Sequence, residues 1–267
     1  MRAAFEEFNN NVDESVRKKC KIKSADIKAL FPSMSAKLSK AAVKKMILKS
    51  GLKIEGINKW ELVKFVAVTV PPEEIVESGL ENVVPRRAKS ATRKLTLNCL
   101  KSDKDDGEKW IPATAEPDED QTRSLVALTL SHCVEVVMKN HTYRLGDKTI
   151  LQSDGGPIGL ELTGAVSRAF MMMWDELYLK AVEEEGLVML LYYRYVDDSN
   201  QIVQDNSGSE DGEEIALKLK NIANSVMEGI EVEIDLPSRH PDGKMPILDM
   251  KVHINIQQRG LCRLRAL

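Results

Sequence analysis

Residues 187–204, LVMLLYYRYVDDSNQIVQ, set two adjacent carboxylates, Asp197 and Asp198, between two runs of strand-forming residues. Aromatic and β-branched residues favour strands and Asp favours tight turns, so this segment reads as a hairpin with its acids at the tip. Two explanations of the pair stand side by side. One is an ordinary acidic turn. The other is a set of oxygen ligands for a hard divalent cation, since Mg²⁺ usually takes one or two carboxylates and leaves its other positions to substrate phosphates.

The chain has 267 residues, with 38 Lys and Arg against 41 Asp and Glu, a net charge of −3. That length buries a sizeable core as one large domain or two small ones. The balance argues against a protein that holds nucleic acid by bulk positive charge, so any such role rests on a local site. Cys20, Cys99, Cys133 and Cys262 form no CxxC pair, and the four histidines form no zinc pattern. Free thiols in a reducing compartment are the expectation. The N-terminal MRAAFEEFNN lacks an apolar core for a signal peptide, and Arg194 interrupts the longest apolar run, 187–193, far short of a membrane span. An intracellular protein with no membrane partner is expected, with nucleus and cytoplasm left undecided.

Along the chain, residues 20–27 alternate as a strand with Cys20, Ile22, Ser24 and Asp26 on one face. Ser35 caps an expected helix to Lys49, 58–68 reads as helical, and Pro71-Pro72 opens a short helix ending at Gly79. Residues 80–120 change texture. Arg86, Arg87, Lys89, Arg93, Lys94 and Lys101 precede an acidic stretch from Asp103 to Asp120, which predicts an exposed, partly disordered insertion. It is either a solvated loop without a role or a basic segment that touches a phosphate backbone.

Helical patterning resumes over 124–140, followed by a hairpin, HTYRL and KTILQ around Gly146-Asp147. The glycine-rich SDGGPIG then leads into a helix over 160–185, with an apolar stripe of Leu162, Val166, Ala169, Phe170, Met173, Leu177 and Ala181. A further helix over 213–228 and strands at 231–236 and 246–256 complete the pattern. The order predicts an α+β fold with a small antiparallel sheet and helices packed on one face.

Asp26 strengthens the cation explanation. A strand-end carboxylate beside a hairpin-tip pair is an arrangement that can hold two cations roughly 3.5–4 Å apart for in-line displacement at phosphorus.

Three segments together resemble the reverse transcriptases. Ser24-Ala25-Asp26-Ile27-Lys28-Ala29-Leu30-Phe31 is similar to the family's first palm motif, an Asp followed five positions later by Phe or Tyr. Gln152 through Gly159, QSDGGPIG, resembles its glycine-rich second motif, and Tyr195-Val196-Asp197-Asp198 its YxDD tetrapeptide. Met245-Pro246-Ile247-Leu248-Asp249-Met250 is similar to the strand after the palm in Penelope-like retroelement enzymes. The resemblance covers roughly 15–256 and implies a single palm-like domain across 1–267.

That resemblance implies an RNA-directed DNA polymerase using Mg²⁺, or Mn²⁺ in its place, with RNA or DNA template, primer and deoxynucleoside triphosphates as partners. Asp26, Asp197 and Asp198 would be the catalytic, metal-holding carboxylates, and the carbonyl of Ile27 an extra ligand. Phe31 would be the steric gate against a 2′-hydroxyl. Gln152, Gly155, Gly156 and Gly159 would lie along the nascent base pair, where glycine permits close approach. Arg168 reads as a solvent-facing or salt-bridged cation in preference to one that reaches phosphate, and by the resemblance Lys244 would sit where the family places a proton-donating lysine.

The chain also departs from the family. Only 25 residues precede Asp26 and seven follow Gly260, so fingers and thumb are expected to be largely missing, with such segments supplied by a longer parent chain. Leu30-Phe31-Pro32-Ser33 echoes a replicative DNA polymerase motif, against which the YVDD hairpin argues. The reading from another class is a catalytically inactive palm-like remnant that binds nucleic acid or protein.

Overall fold

The computed structural model describes residues 2–51, 53–87, 110–111, 115–152, 155–157, 159–206, 212–247, 250–255 and 261–266. In chain order the elements are α1 (Arg2–Asn11), α2 (Glu14–Arg17), β1 (Cys20–Lys28), α3 (Leu30–Ser33), α4 (Ala36–Lys49), α5 (Lys59–Thr69) and α6 (Pro72–Glu77). There follow β2 (Arg86–Arg87), β3 (Trp110–Ile111), α7 (Glu119–Lys139), β4 (Thr142–Leu145), β5 (Lys148–Leu151) and α8 (Glu161–Glu184). The rest comprises β6 (Val188–Tyr195), β7 (Asp198–Gln204), α9 (Glu213–Ser225), β8 (Glu231–Asp235), a 3₁₀ turn Pro237–Arg239, β9 (Met245–Ile247), β10 (Met250–Asn255) and β11 (Leu261–Ala266). This is an α+β architecture built on small antiparallel sheets. The chain divides into two compact units, 1–34 with 171–267, and 35–170.

The first unit is built on a sheet ordered β6-β7-β1-β8. Its inner strand β1 is buried on both faces: Cys20 and Ile22 are buried on one, Lys23, Ala25 and Ile27 on the other. Neighbouring β7 residues show what covers each face, because successive side chains point to opposite sides. Ile202 joins a cluster with Phe5 and Phe8 of α1, Cys20, Ile22, Met245, Ile247 and Val252. Gln201 points the other way and accepts a hydrogen bond from Tyr178 of α8 at 2.9 Å. Helices are therefore not confined to one face of this sheet, contrary to the sequence expectation; α1 lacked a sequence signal strong enough to announce its role.

The strand expected over 246–256 is likewise two strands: β9 pairs antiparallel with β10, Val252 opposite Met245. The edge of β8 is closed by side chains. Asn224 accepts from the Val232 amide at 2.7 Å, and Arg239 donates to the Ile234 carbonyl at 2.8 Å.

The second unit contains α4 to α7, β2 to β5 and the opening turns of α8, as far as Phe170. Its core gathers Val63, Val66, Val70, Ile75, Leu80, Val83, Val84, Leu125 and Leu128. Ser35 caps α4 as expected, accepting from the Leu38 amide at 3.2 Å. Helix α7 begins at Glu119 rather than 124 because Asp118 and Gln121 form a reciprocal capping box, at 2.8 and 3.1 Å. The exposed insertion expected from residue 80 does not begin there, because the apolar Leu80, Val83 and Val84 are buried in this core; Arg86 then stands opposite Ile111 and Arg87 opposite Trp110 in a two-residue ladder. Most of the expected insertion, including Lys89, Arg93, Lys94, Lys101 and the first acids, lies outside the described residues. No helix among the described residues is long and apolar enough to cross a membrane.

Candidate carboxylate site

Pairing on both sides of β1 brings the three acids of the first unit together. Asp198 opens β7 and stands directly opposite Asp26, while Tyr195 closes β6 opposite Asp198. Asp197 occupies the two-residue turn between β6 and β7. In a two-residue hairpin the closing pair exchanges backbone hydrogen bonds, so Asp198 turns those groups toward Tyr195 and not toward Asp26. Asp26 and Asp198 then form a non-hydrogen-bonded pair, the closer of the two antiparallel spacings at ~4.5 Å between Cα atoms, with side chains on one face. A row of Tyr195, Asp198, Asp26 and Glu233 runs across the sheet.

Electrostatics mark the same spot. Asp26 is exposed, and Asp197 and Asp198 are half-buried. The carboxyl of Asp198 lies above its ordinary value, first through partial burial and then through the negative charges of Asp197 and Asp26. Among the described residues none of the three carboxylates is paired with a lysine, arginine or histidine. Like charges held together without compensation raise the energy of the ionised state, and a cation relieves it.

Among the described residues no three His, Cys, Asp or Glu side chains form a ready-made metal cage. The donor set suits a cation that keeps several positions for another ligand: carboxylate oxygens, partly solvated, with uncompensated charge. The Ile27 carbonyl is also directed toward this corner. Val232, its partner on β8, turns its backbone outward to Asn224, so Ile27 turns its own to the β7 side.

The backbone is strained on both sides of the acids. Among the described residues the non-glycine residues with positive φ are Ala29, at 49°, and Val196, at 57°. Ala29 follows Asp26 by three positions and introduces α3; Val196 immediately precedes Asp197. A positive φ at the first of two turn residues alone is the type II′ pattern, which favours glycine there. Such strain costs on the order of 1–3 kcal/mol per residue and gathers at functional sites.

Phe31 sits half-buried in α3 of the same unit, beyond the left-handed Ala29. Lys244 belongs to this unit too; its amide donates to Asp242 at 3.2 Å.

Gln152, Gly155, Gly156 and Gly159 belong to the second unit. Gln152 donates from its side chain to the Gly156 carbonyl at 3.4 Å and from its amide to His141 at 2.8 Å. Gly155 and Gly159 adopt φ of 81° and 92°, which explains glycine there. Ser153, Asp154 and Ile158 lie outside the described residues. Arg168 is exposed on α8, in accord with the solvent-facing alternative.

Arg194 and the tyrosines beside it read from the sequence as packing under the hairpin, but sequence reasoning missed their partner on α8. Arg194 points to the α8 face and forms an ion pair with Asp175, whose carboxylate also accepts from the Tyr192 hydroxyl at 2.6 Å. The apolar stripe of α8 is offset from the one expected. Leu162 and Leu177 are exposed, whereas Val166, Phe170, Trp174, Tyr178 and Val182 are buried. A stripe through Trp174 and Tyr178 puts Asp175 beside the sheet, and that spacing is the signal that could have found it.

No protein-family model matches the chain, and a search of curated proteins finds no significant match.

Proposed function

We propose that this protein belongs to the class that carries out template-directed nucleotidyl transfer at a two-cation carboxylate site. Within that class the reading is an RNA-directed DNA polymerase palm, acting on primer, template and deoxynucleoside triphosphates. The observation that carries it is the Asp26–Asp198 cross-strand pair with Asp197 at the adjoining turn, uncompensated by any cation among the described residues. An ordinary acidic turn has no need of a third carboxylate from a distant strand.

Asp26, Asp197 and Asp198 would hold Mg²⁺ or Mn²⁺, with the Ile27 carbonyl as a further donor. Bound there, the cations would lower the pKa of a 3′-hydroxyl and stabilise the leaving pyrophosphate. The protein's part is to fix the three oxygen donors on a rigid sheet, so that little reorganisation remains when a triphosphate arrives. Phe31 would lie against the sugar and exclude a 2′-hydroxyl.

The test is extension of a DNA primer on an RNA template by the purified chain with Mg²⁺. Extension that falls by about a hundredfold or more in Asp197→Asn is expected. Extension unchanged by that substitution removes the assignment. A wild-type chain that neither extends primers nor binds nucleotide in the presence of Mg²⁺ leaves the non-catalytic binding module as the better account.

A further inference from the structure

Val196 is poorly suited to the backbone it adopts. A β-branched residue at φ 57° is an outlier, and it occupies the turn position where glycine is favoured. Such a conformation persists only where its surroundings impose it. The constraint comes from Arg194. Its Nη1 donates to the Val196 carbonyl at 2.7 Å, while Nε donates to both Asp175 oxygens at 2.9 Å and Nη2 donates to Oδ2 at 2.8 Å. The two side chains are only 13% and 18% exposed, so water competes little for the ion pair, while the bond to the Val196 carbonyl lies at the exposed turn.

The anchor is itself fixed. Asp175 takes the Tyr192 hydroxyl bond, Trp174 stacks on Tyr178 with centroids 4.8 Å apart, and Tyr178 bonds Gln201 of β7. The Val196 carbonyl belongs to the central peptide of the turn, the unit whose rotation distinguishes one turn type from another. Holding that oxygen therefore sets the ψ of Val196 and the φ of Asp197.

We propose that Arg194 and Asp175 are positioning residues, which impose the left-handed turn at Val196 and thereby aim Asp197 and Asp198 toward Asp26. The consequence for catalysis rests on the nucleotidyl-transfer reading; the brace on the turn does not. A planar guanidinium is required, because one arm must reach the turn while the others grip the carboxylate.

The test is amide hydrogen exchange at Asp197 and Asp198, read beside the Mg²⁺ dependence of primer extension. Arg194→Gln and Arg194→Lys should each speed exchange at these amides about tenfold, while the β1 amides remain protected. In a Val196→Gly background the same change should have a much smaller effect, because glycine needs no brace. Half-saturating Mg²⁺ should rise about tenfold in Arg194→Gln with the KM for nucleotide little changed. Should Arg194→Gln fail to fold, Asp175→Asn carries the same measurements.

Turn exchange that stays at the wild-type rate, full rescue by lysine, or equal effects in the valine and glycine backgrounds overturns the brace. A wild type that neither extends primers nor binds nucleotide with Mg²⁺, but whose variants still loosen the turn, overturns the nucleotidyl-transfer reading alone and retains the brace.

Discussion

Asp198 and Glu233 stand on opposite sides of Asp26, one on β7 and the other on β8, and their charges are treated in opposite ways. Glu233 is gripped by Lys220 and Lys28, each at 2.8 Å, and hydrogen bonds from these two lysines hold its carboxyl at about 2. Asp198 has neither lysine, and its carboxyl is pushed up by burial and by its acidic neighbours. One end of the row is neutralised by lysines of the chain; the other is not.

Substituting Asp198 by Asn should therefore stabilise the protein at neutral pH while abolishing the proposed activity. Because the folded-state pKa is raised, the native state is favoured at pH below the ordinary 3.8, and stability is lost as pH rises through the raised value. Thermal unfolding should show a gain of about 1–3 °C at pH 7, allowing for the partial exposure of the group. That gain should disappear below pH 3.8. A Tm at pH 7 below that of the wild type would contradict the repulsion described.

Divalent cations should raise the Tm of the wild type, and less so that of Asp26→Asn or Asp197→Asn. Ligand that binds only the folded chain stabilises it by about 2.7 kcal/mol at a hundredfold excess over its dissociation constant. Calorimetric scans with and without Mg²⁺ or Mn²⁺ measure this directly. Equal shifts in all three proteins would place the cation elsewhere.

In the second unit Glu135 should carry measurable stability. It binds Lys139 at 2.5 Å and Lys40 at 2.9 Å, and Lys40 also holds Glu74, tying α4, α6 and α7. Hydrogen bonds from Lys139 and Lys40 pull the Glu135 carboxyl down to about 2. A depressed acid stabilises above its ordinary 4.5, and the contribution fades as pH falls toward about 2. Glu135→Gln should cost about 1 kcal/mol at pH 7 and flatten the acid limb of the stability curve. An unaltered acid limb in urea titrations would rule this out.

Phe31→Ala should relax sugar selection. If the ring closes the space below the sugar, its removal should raise incorporation of ribonucleotides roughly tenfold or more relative to deoxynucleotides. Competition assays with paired nucleotides decide it, and an unchanged ratio denies Phe31 that role.

Much of the first unit could be read from the sequence because its periodicity is strong. The YVDD hairpin, β1 and α8 follow from alternation, from acids at a turn and from helical spacing. The register that sets Asp26 opposite Asp198 could not be read, since strand pairing depends on contacts distant in the chain. Arg194 looked like an interruption of an apolar run; only the sheet shows that alternate residues there face α8. Lys23 is fully buried yet polar, which hid the second covered face of β1; its ammonium donates to the Gly212 carbonyl at 2.6 Å. β9 ends at Ile247 and β10 begins at Met250, and the sequence between them carries no glycine or proline to announce the break. Tyr178 and Trp174 were passed over as core because aliphatic residues nearby offered an equally regular stripe.

Asn224 and Arg239 have a consequence for how this protein meets other chains. By occupying backbone groups of Val232 and Ile234, they remove the template that an exposed strand offers to a passing peptide. The four-stranded sheet is thus a ribbon sealed along one margin. A peptide designed to lengthen it would have to add at β6, next to the strand that carries Asp198, so recruitment by strand addition would fall on the carboxylate side of the ribbon.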